Sequence, residues 1–407
     1  MEGVGGEWRR QSASANYVSR PYHVINVVPC SRPLRPGIKP TPSASHISFI
    51  AAGIQRLSMT SENKMQYVRL GKSGLKISKI ILGCMSYGDP EWHEWVLREK
   101  EGIEHIKYAY AHGINTFDTA DIYSCGASEE ILGKAIREIG CPREDVVILT
   151  KLYMPVTHGS RAAPPAFPDL DKSGYTNQYG LSRKHIFAAV QASLKRLNVE
   201  YIDVLQCHRF DYNTPIEETM QTLHDVVQKG WVRYIGMSSC WAYQFHAMQN
   251  YAINNRLTPF ISMQNFHNAA YREEEREMIP TLQMFGVGCI PWSPLARGFL
   301  TRPWKDSTSL RSQSDALYKA RGFTDPAIAK QRINEAIEQI AEKRGISMAQ
   351  VALAWSLSKE YITAPIVGTT SLDKLKDLLG AINLKLTQEE KKAIEEHYVP
   401  QDVTGHQ

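Results

Sequence analysis

Long apolar runs are missing from this chain of 407 residues. None approaches the roughly 18 consecutive apolar residues that a membrane-crossing helix needs, so no membrane partner is expected. Paired cysteines are missing too. Seven cysteines stand at 30, 84, 125, 141, 207, 240 and 289, an odd number at irregular spacing with no Cys-x-x-Cys. That pattern argues against a disulfide framework or a zinc site and for a reducing compartment, with a cytoplasmic location expected. No charge of one sign dominates. The formal charge of +5 is too diffuse over this length to suggest nucleic acid. There is also no Gly-x-Gly-x-x-Gly phrase, the fingerprint of a dinucleotide-binding doubly wound domain.

Acidic residues are scarce at the start. Arg9, Arg10, Arg20, Arg32, Arg35, Lys39 and Arg56 face only Glu2 and Glu7 before residue 57, among many Ser and Pro. Such composition resists compact folding. Residues 1–64 therefore read as a disordered or targeting extension, mitochondrial if 1–60 act as a transit peptide. A start codon placed too early is the alternative, because Met59 and Met65 both precede the ordered text.

What is present begins at Tyr67. With 43% hydrophobic and 22% charged residues the chain can build a sizeable core. Two short apolar stretches flank Lys72-Ser-Gly and predict a small hairpin. Strand-length apolar runs follow at 80–82, 115–117, 146–149, 204–206, 232–235, 260–263, 288–290 and 364–366. Amphipathic helical stretches such as 128–139, 183–197, 215–228, 330–344 and 371–382 alternate with them. Eight strands, each followed by helical sequence, predict an α/β fold, a (β/α)8 TIM barrel over 65–399 with a tail at 400–407. The residues ending five of these strands, Lys151, His208, Ser238, Gln264 and Trp292, lie 57, 30, 26 and 28 residues apart. The long first gap carries a polar insertion at 153–181, and a second polar loop covers 300–327. Long loops on the C-terminal rim shape pockets.

Three strands end on ionisable residues: Asp118 with Tyr123 five residues on, Lys151, and His208. In a parallel barrel these ends share one opening. Tyrosine is a weak acid, with a reference pKa of about 10. A nearby ammonium favours the phenolate and lowers that value, and a carboxylate can hold the ammonium in place. A histidine beside them can orient a carbonyl oxygen. Taken singly, each residue has an ordinary reading: a solvated lysine, an N-capping aspartate, a tyrosine packed on the rim, a core histidine. Their joint placement favours the chemical one.

The phrases Asp118-Thr-Ala-x-x-Tyr123, Thr150-Lys151 and Ile202-Asp-x-x-x-x-His208 resemble the aldo-keto reductase family in order and interval. The likeness runs from Tyr67 to about Ala381. It is strongest to the fungal branch of versiconal hemiacetal acetate reductase and aryl-alcohol dehydrogenase-like enzymes, and extends to potassium-channel β-subunits. The resemblance implies a catalytic tetrad of Asp118, Tyr123, Lys151 and His208 and NADP(H) as cofactor.

Ser238, Ser239 and Gln264 match residues near the nicotinamide carboxamide, with Asp118 beside them, and Trp292 matches the aromatic that stacks on the ring. Ser293, Leu295, Arg297 and Gly298 match the pyrophosphate cradle. Gly368, Thr369, Thr370 and Lys374 match the adenosine clamp, with Lys374 placed for a 2′-phosphate. The chain departs from the pattern at Ser239 and Leu378, where many members carry Asn. The substrate implied is a small carbonyl compound, bounded by Tyr123, His208, Trp92 and Tyr153, with Trp95 and Trp241 also near the mouth. The expected activity is reduction of an aldehyde or ketone to an alcohol. The alternative is a cofactor-binding, redox-sensing regulatory subunit like the channel β-subunits. Oligomeric state is left open.

Overall fold

A computed structural model describes residues 65–406 apart from 158, 164–169 and 307. The expected N-terminal extension lies outside the described residues. The first elements are the hairpin strands β1 (Tyr67–Arg69) and β2 (Lys76–Ser78), paired antiparallel with Val68 opposite Ile77. At their turn Gly71 has φ +59°, and a Cβ there would lie 2.6 Å from the Gly286 carbonyl oxygen, so only glycine fits this approach.

Eight parallel strands follow: β3 (Ile81–Gly83), β4 (Thr116–Asp118), β5 (Val147–Leu152), β6 (Ile202–Cys207), β7 (Val232–Ser238), β8 (Phe260–Gln264), β9 (Gly288–Cys289) and β10 (Ile366–Val367). Their order is β10-β3-β4-β5-β6-β7-β8-β9. The two ends meet through parallel bridges Cys289–Ile362 and Trp292–Ile366, with Thr363 N donating to Cys289 O at 2.8 Å and Ile366 N to Pro291 O at 2.9 Å. The sheet therefore closes, and no open edge remains. The fold is the (β/α)8 barrel expected from the strand count.

Helices α1 (Glu99–Ala111), α2 (Ala127–Ile139), α3 (Arg183–Leu197), α4 (Ile216–Gln228), α5 (Ala242–Asn254) and α6 (Met278–Phe285) follow β3 to β8 in turn. After β9 come the short α7 (Leu310–Ser314) and α8 (Ala316–Ala320), then α9 (Ile328–Arg344) and α10 (Met348–Leu357); α11 (Leu372–Leu379) and α12 (Gln388–Glu395) close the chain. Their limits have local causes. Ser182 caps α3 by accepting from His185 N, and left-handed Asn198 (φ 51°) ends it. Thr387 and Glu390 form a capping box on α12.

Period-two alternation sorts the strand residues. On β5, Val147 and Leu149 join Leu70 and Ile77 of the hairpin, Ile81, Val204 and Ile290 in one buried cluster. Ile148 and Leu152 face the helices instead. The hairpin thus plugs one end of the barrel with apolar side chains. Lys151 continues the inward row of β5 one step beyond Leu149, at the other end.

Residues 400–406 pack onto the domain. Gln401 N donates to Glu273 Oε1 at 3.0 Å, Thr404 N donates to Tyr271 OH at 3.0 Å, and buried His406 lies 2.8 Å from Glu274 Oε1. Among the described residues no helix is long and apolar enough to cross a membrane.

Candidate active site

Three adjacent strands bring the expected tetrad to the rim opposite the plug. Lys151 Nζ donates to Asp118 Oδ2 at 2.6 Å, to Thr119 O at 2.8 Å and to Tyr123 OH at 3.3 Å. Lys151 is fully buried and Asp118 nearly so. The Tyr123 and His208 rings meet edge to face with centroids 5.9 Å apart. All but Lys151 line one cavity of about 1190 Å³.

Two glutamines support Asp118 from the inward rows of β6 and β8. Its Oδ1 accepts from Gln206 Nε2 at 3.1 Å and from Gln264 Nε2 at 2.8 Å. Gln264 Nε2 also reaches Gln206 Oε1 at 2.9 Å. Gln206 was not anticipated, although its place two residues before His208 puts it on the same strand face.

The charge states follow from this packing. Burial opposes the Lys151 ammonium, but Asp118 and Tyr123 outweigh it, and the lysine pKa is raised. Burial raises the Tyr123 pKa despite the opposing pull of Lys151. The ammonium does pull the value down as expected, but desolvation of the buried phenol is the stronger effect and the net shift is upward. The resting phenol therefore keeps its proton at neutral pH. Burial, with Arg209 and Lys151 nearby, pushes His208 well below the ordinary imidazole value, and its Nδ1 has no hydrogen-bond partner. The imidazole is neutral at pH 7.

The remaining expected residues divide. Ser238, Gln264 and Trp292 line the cavity. Ser239 does not; its N–H donates to Asn265 Oδ1 at 3.1 Å, and its hydroxyl accepts from Trp292 Nε1 at 3.1 Å. It holds the indole from the side, at φ 43°. Phe266 stacks on Trp292 with centroids 4.5 Å apart.

Beyond Trp292, Ser293, Leu295, Arg297 and Gly298 also line the cavity. Ser293, Ala296, Arg297 and Gly298 all have positive φ, at 52°, 48°, 57° and 102°. Ala296 and Arg297 are strained there, beside a glycine that adopts the conformation freely, and backbone of this kind can present N–H groups to an anion. Arg297 is buried and pairs with Asp315 at 2.5 Å, which also accepts from Arg311 Nε at 3.1 Å. Gly368, Thr369 and Thr370, between β10 and α11, and Lys374 and Leu378, on α11, lie on the same cavity. Residues of this chemistry fit a dinucleotide: an aromatic face, a strained anion-binding loop with arginine, and a lysine at the far end.

On the substrate side, Trp92 lines the cavity with its ring 5.8 Å from Tyr123. Tyr153 is not among the lining residues. Met154 and Pro155 form that wall, and Tyr153 packs against the apolar core between barrel and helices. Successive residues leaving a strand point opposite ways, so the pocket takes the neighbour. Trp95 is buried beneath Arg311, whose guanidinium lies 4.3 Å from its ring, and lines the cavity. Trp241 is exposed and meets His406 edge-on at 4.9 Å.

A closed (β/α)8 barrel with this tetrad at its mouth defines an oxidoreductase of the carbonyl-reducing kind. The chain belongs to the Aldo/keto reductase family, whose sequence profile matches residues 79–399. It is 51% identical over 347 residues to versiconal hemiacetal acetate reductase of Aspergillus parasiticus, covering 83% of this chain and 98% of that protein. It is 49% identical over 359 residues to a candidate aryl-alcohol dehydrogenase of Schizosaccharomyces pombe, covering 85% and 99%. An aldo-keto reductase of Alternaria alternata is 47% identical over 354 residues, covering 84% and 94%.

Proposed function

We propose that the protein reduces an aldehyde or ketone to the alcohol with NADPH, using Tyr123 as the general acid. The observation that carries this reading is Lys151 Nζ at 2.6 Å from Asp118 and 3.3 Å from the Tyr123 hydroxyl, beside neutral His208. Trp292, the 293–298 loop and the 368–374 segment would hold NADPH, which would supply the hydride. Tyr123 gives its proton to the carbonyl oxygen as the carbon is reduced, leaving the alcohol and a Tyr123 phenolate.

The residues divide the work. His208 donates one hydrogen bond to the carbonyl oxygen and does not compete as an acid, because its imidazole is already neutral. Lys151 stabilises the phenolate that forms as the proton leaves. Asp118 fixes the ammonium at that distance. A phenol that retains its proton at rest and releases it only against an ammonium has its proton available throughout the neutral range. Lys374 supports NADPH over NADH by offering a charge for the 2′-phosphate.

Tyr123→Phe tests the assignment. Turnover of an aromatic aldehyde is expected to fall at least a thousand-fold, while the NADPH dissociation constant, read by tryptophan quenching, stays within about three-fold. Unchanged turnover would remove Tyr123 from the acid role. Slow single turnover by the wild type with every aldehyde would favour the regulatory alternative.

A further inference from the structure

Arg209 follows His208 at the end of β6 and lines the same cavity as His208 and Tyr123. Its Nη1 donates to His208 O at 2.6 Å, and its Nε is buried with no hydrogen-bond partner. It joins no ion pair among the described residues. The nearest carboxylate in sequence, Asp211, is committed elsewhere, accepting from Leu181 N at 2.7 Å, Asn213 N at 2.9 Å and Thr214 Oγ1 at 2.7 Å. The groups that act favourably on the guanidinium are the phenols of Tyr123 and Tyr153. Burial pushes both phenols up, Tyr153 to about 12, so neither is an anion at pH 7. Arg321 adds repulsion. A partly buried guanidinium whose Nε is cut off from water and which has no counter-charge is costly, and such a cation lining a ligand cavity marks a place where an anion binds.

The anion is not the dinucleotide phosphate. The phosphate-binding features follow β9 and β10, whereas Arg209 follows β6, four strands from β10 in the closed ring of eight. Met85, Trp92, Ile122 and Met154 give the same cavity an apolar wall beside Tyr123.

We infer that Arg209 anchors an anionic oxygen of the substrate, so that the carbonyl compound reduced at Tyr123 carries a carboxylate on an apolar or aromatic body. The inference rests on the carbonyl-reductase reading and adds the substrate class to it. Arginine suits this role because its planar fork pairs with a carboxylate through two parallel hydrogen bonds. A site built around such a donor discriminates strongly against an analogue that leaves it unpaired.

The test compares 4-carboxybenzaldehyde with its methyl ester, methyl 4-formylbenzoate, under saturating NADPH. Wild-type kcat/KM is expected to favour the acid at least ten-fold, mainly through KM. Arg209→Gln should collapse that ratio at least ten-fold, and Arg209→Lys should restore part of it. A wild-type ratio of one or less, or a ratio unmoved by Arg209→Gln, overturns the inference. A second measurement needs no variant. Benzoate and benzamide are titrated against the NADPH-saturated wild type by tryptophan fluorescence; benzoate binding at least ten-fold tighter supports the anchor, and equal binding overturns it. If neither aldehyde turns over, the reductase reading has failed, and the benzoate comparison still decides whether Arg209 anchors an anion.

Discussion

Gln206 Nε2 and Asp118 Oδ1 lie 3.1 Å apart although 88 residues separate them in sequence. The bond joins the inward rows of β6 and β4 across the intervening β5, which carries Lys151. Asp118 is thus held on both oxygens, by Lys151 on one and by Gln206 and Gln264 on the other. The carboxylate is an acceptor saturated by fixed donors, so it transmits the barrel's geometry to the ammonium and from there to the phenol.

Gln206→Leu removes one of those donors and leaves Gln264 Nε2 without its Gln206 partner. Losing a hydrogen bond to a buried charged group costs about 1.5–3 kcal/mol. If about 1.4 kcal/mol of that appears in the transition state, kcat falls about ten-fold. The expected outcome is a ten-fold or greater loss of kcat with the NADPH dissociation constant within three-fold of wild type. A kcat within two-fold would mean that Gln264 and the backbone suffice to hold Asp118.

Much of this site is legible in the sequence because strand periodicity is rigid. Asp118, Lys151 and His208 each end an apolar run, and a parallel barrel leaves strand ends only one place to meet. Gln206 was within reach of the same rule. The loops obey no such period. Tyr153 and Met154 are adjacent, and nothing in the residues themselves says which one faces the cavity; the path of the chain leaving β5 decides it. Ser239 and Trp292 read as two cofactor contacts, yet 53 residues of sequence hide that one buttresses the other. The pairing of Arg297 and Arg311 with Asp315 is likewise a product of loop packing. The sign of the Tyr123 shift required burial as well as neighbours, and burial is a property of the folded state alone.

Lys374 lies on the cavity lining, one turn into α11. Asp377, also on the lining, accepts from Ser347 Oγ at 2.5 Å and Gln350 Nε2 at 2.8 Å, which fixes this end of the pocket. A lysine meeting a 2′-phosphate gives a selectivity that depends on its charge. Lys374→Ala is expected to reduce the ratio of kcat/KM for NADPH to that for NADH about ten-fold, equal to about 1.4 kcal/mol. The effect should shrink in 0.5 M salt, since an accessible pair is screened. Initial rates with both dinucleotides at two ionic strengths measure it. A ratio unmoved by the substitution would place the phosphate contact on another residue.

His185 gives the fold a pH dependence separate from catalysis. It lies in the first turn of α3, is 6% exposed, and its Nε2 has no hydrogen-bond partner. Burial lowers its pKa to about 4 from an ordinary 6.5, against the opposing field of Asp211. Below pH 6.5 the unfolded chain takes up a proton that the folded chain refuses, so stability is full above that pH and falls as pH drops toward 4. That lowering corresponds to about 3 kcal/mol once both states are protonated. His185→Leu removes the titration while filling the same space. Denaturant unfolding at pH 7.5 and pH 4.5 should show the wild type losing about 2–3 kcal/mol more than the variant on acidification. Equal losses would show that the imidazole finds a partner or water when it protonates.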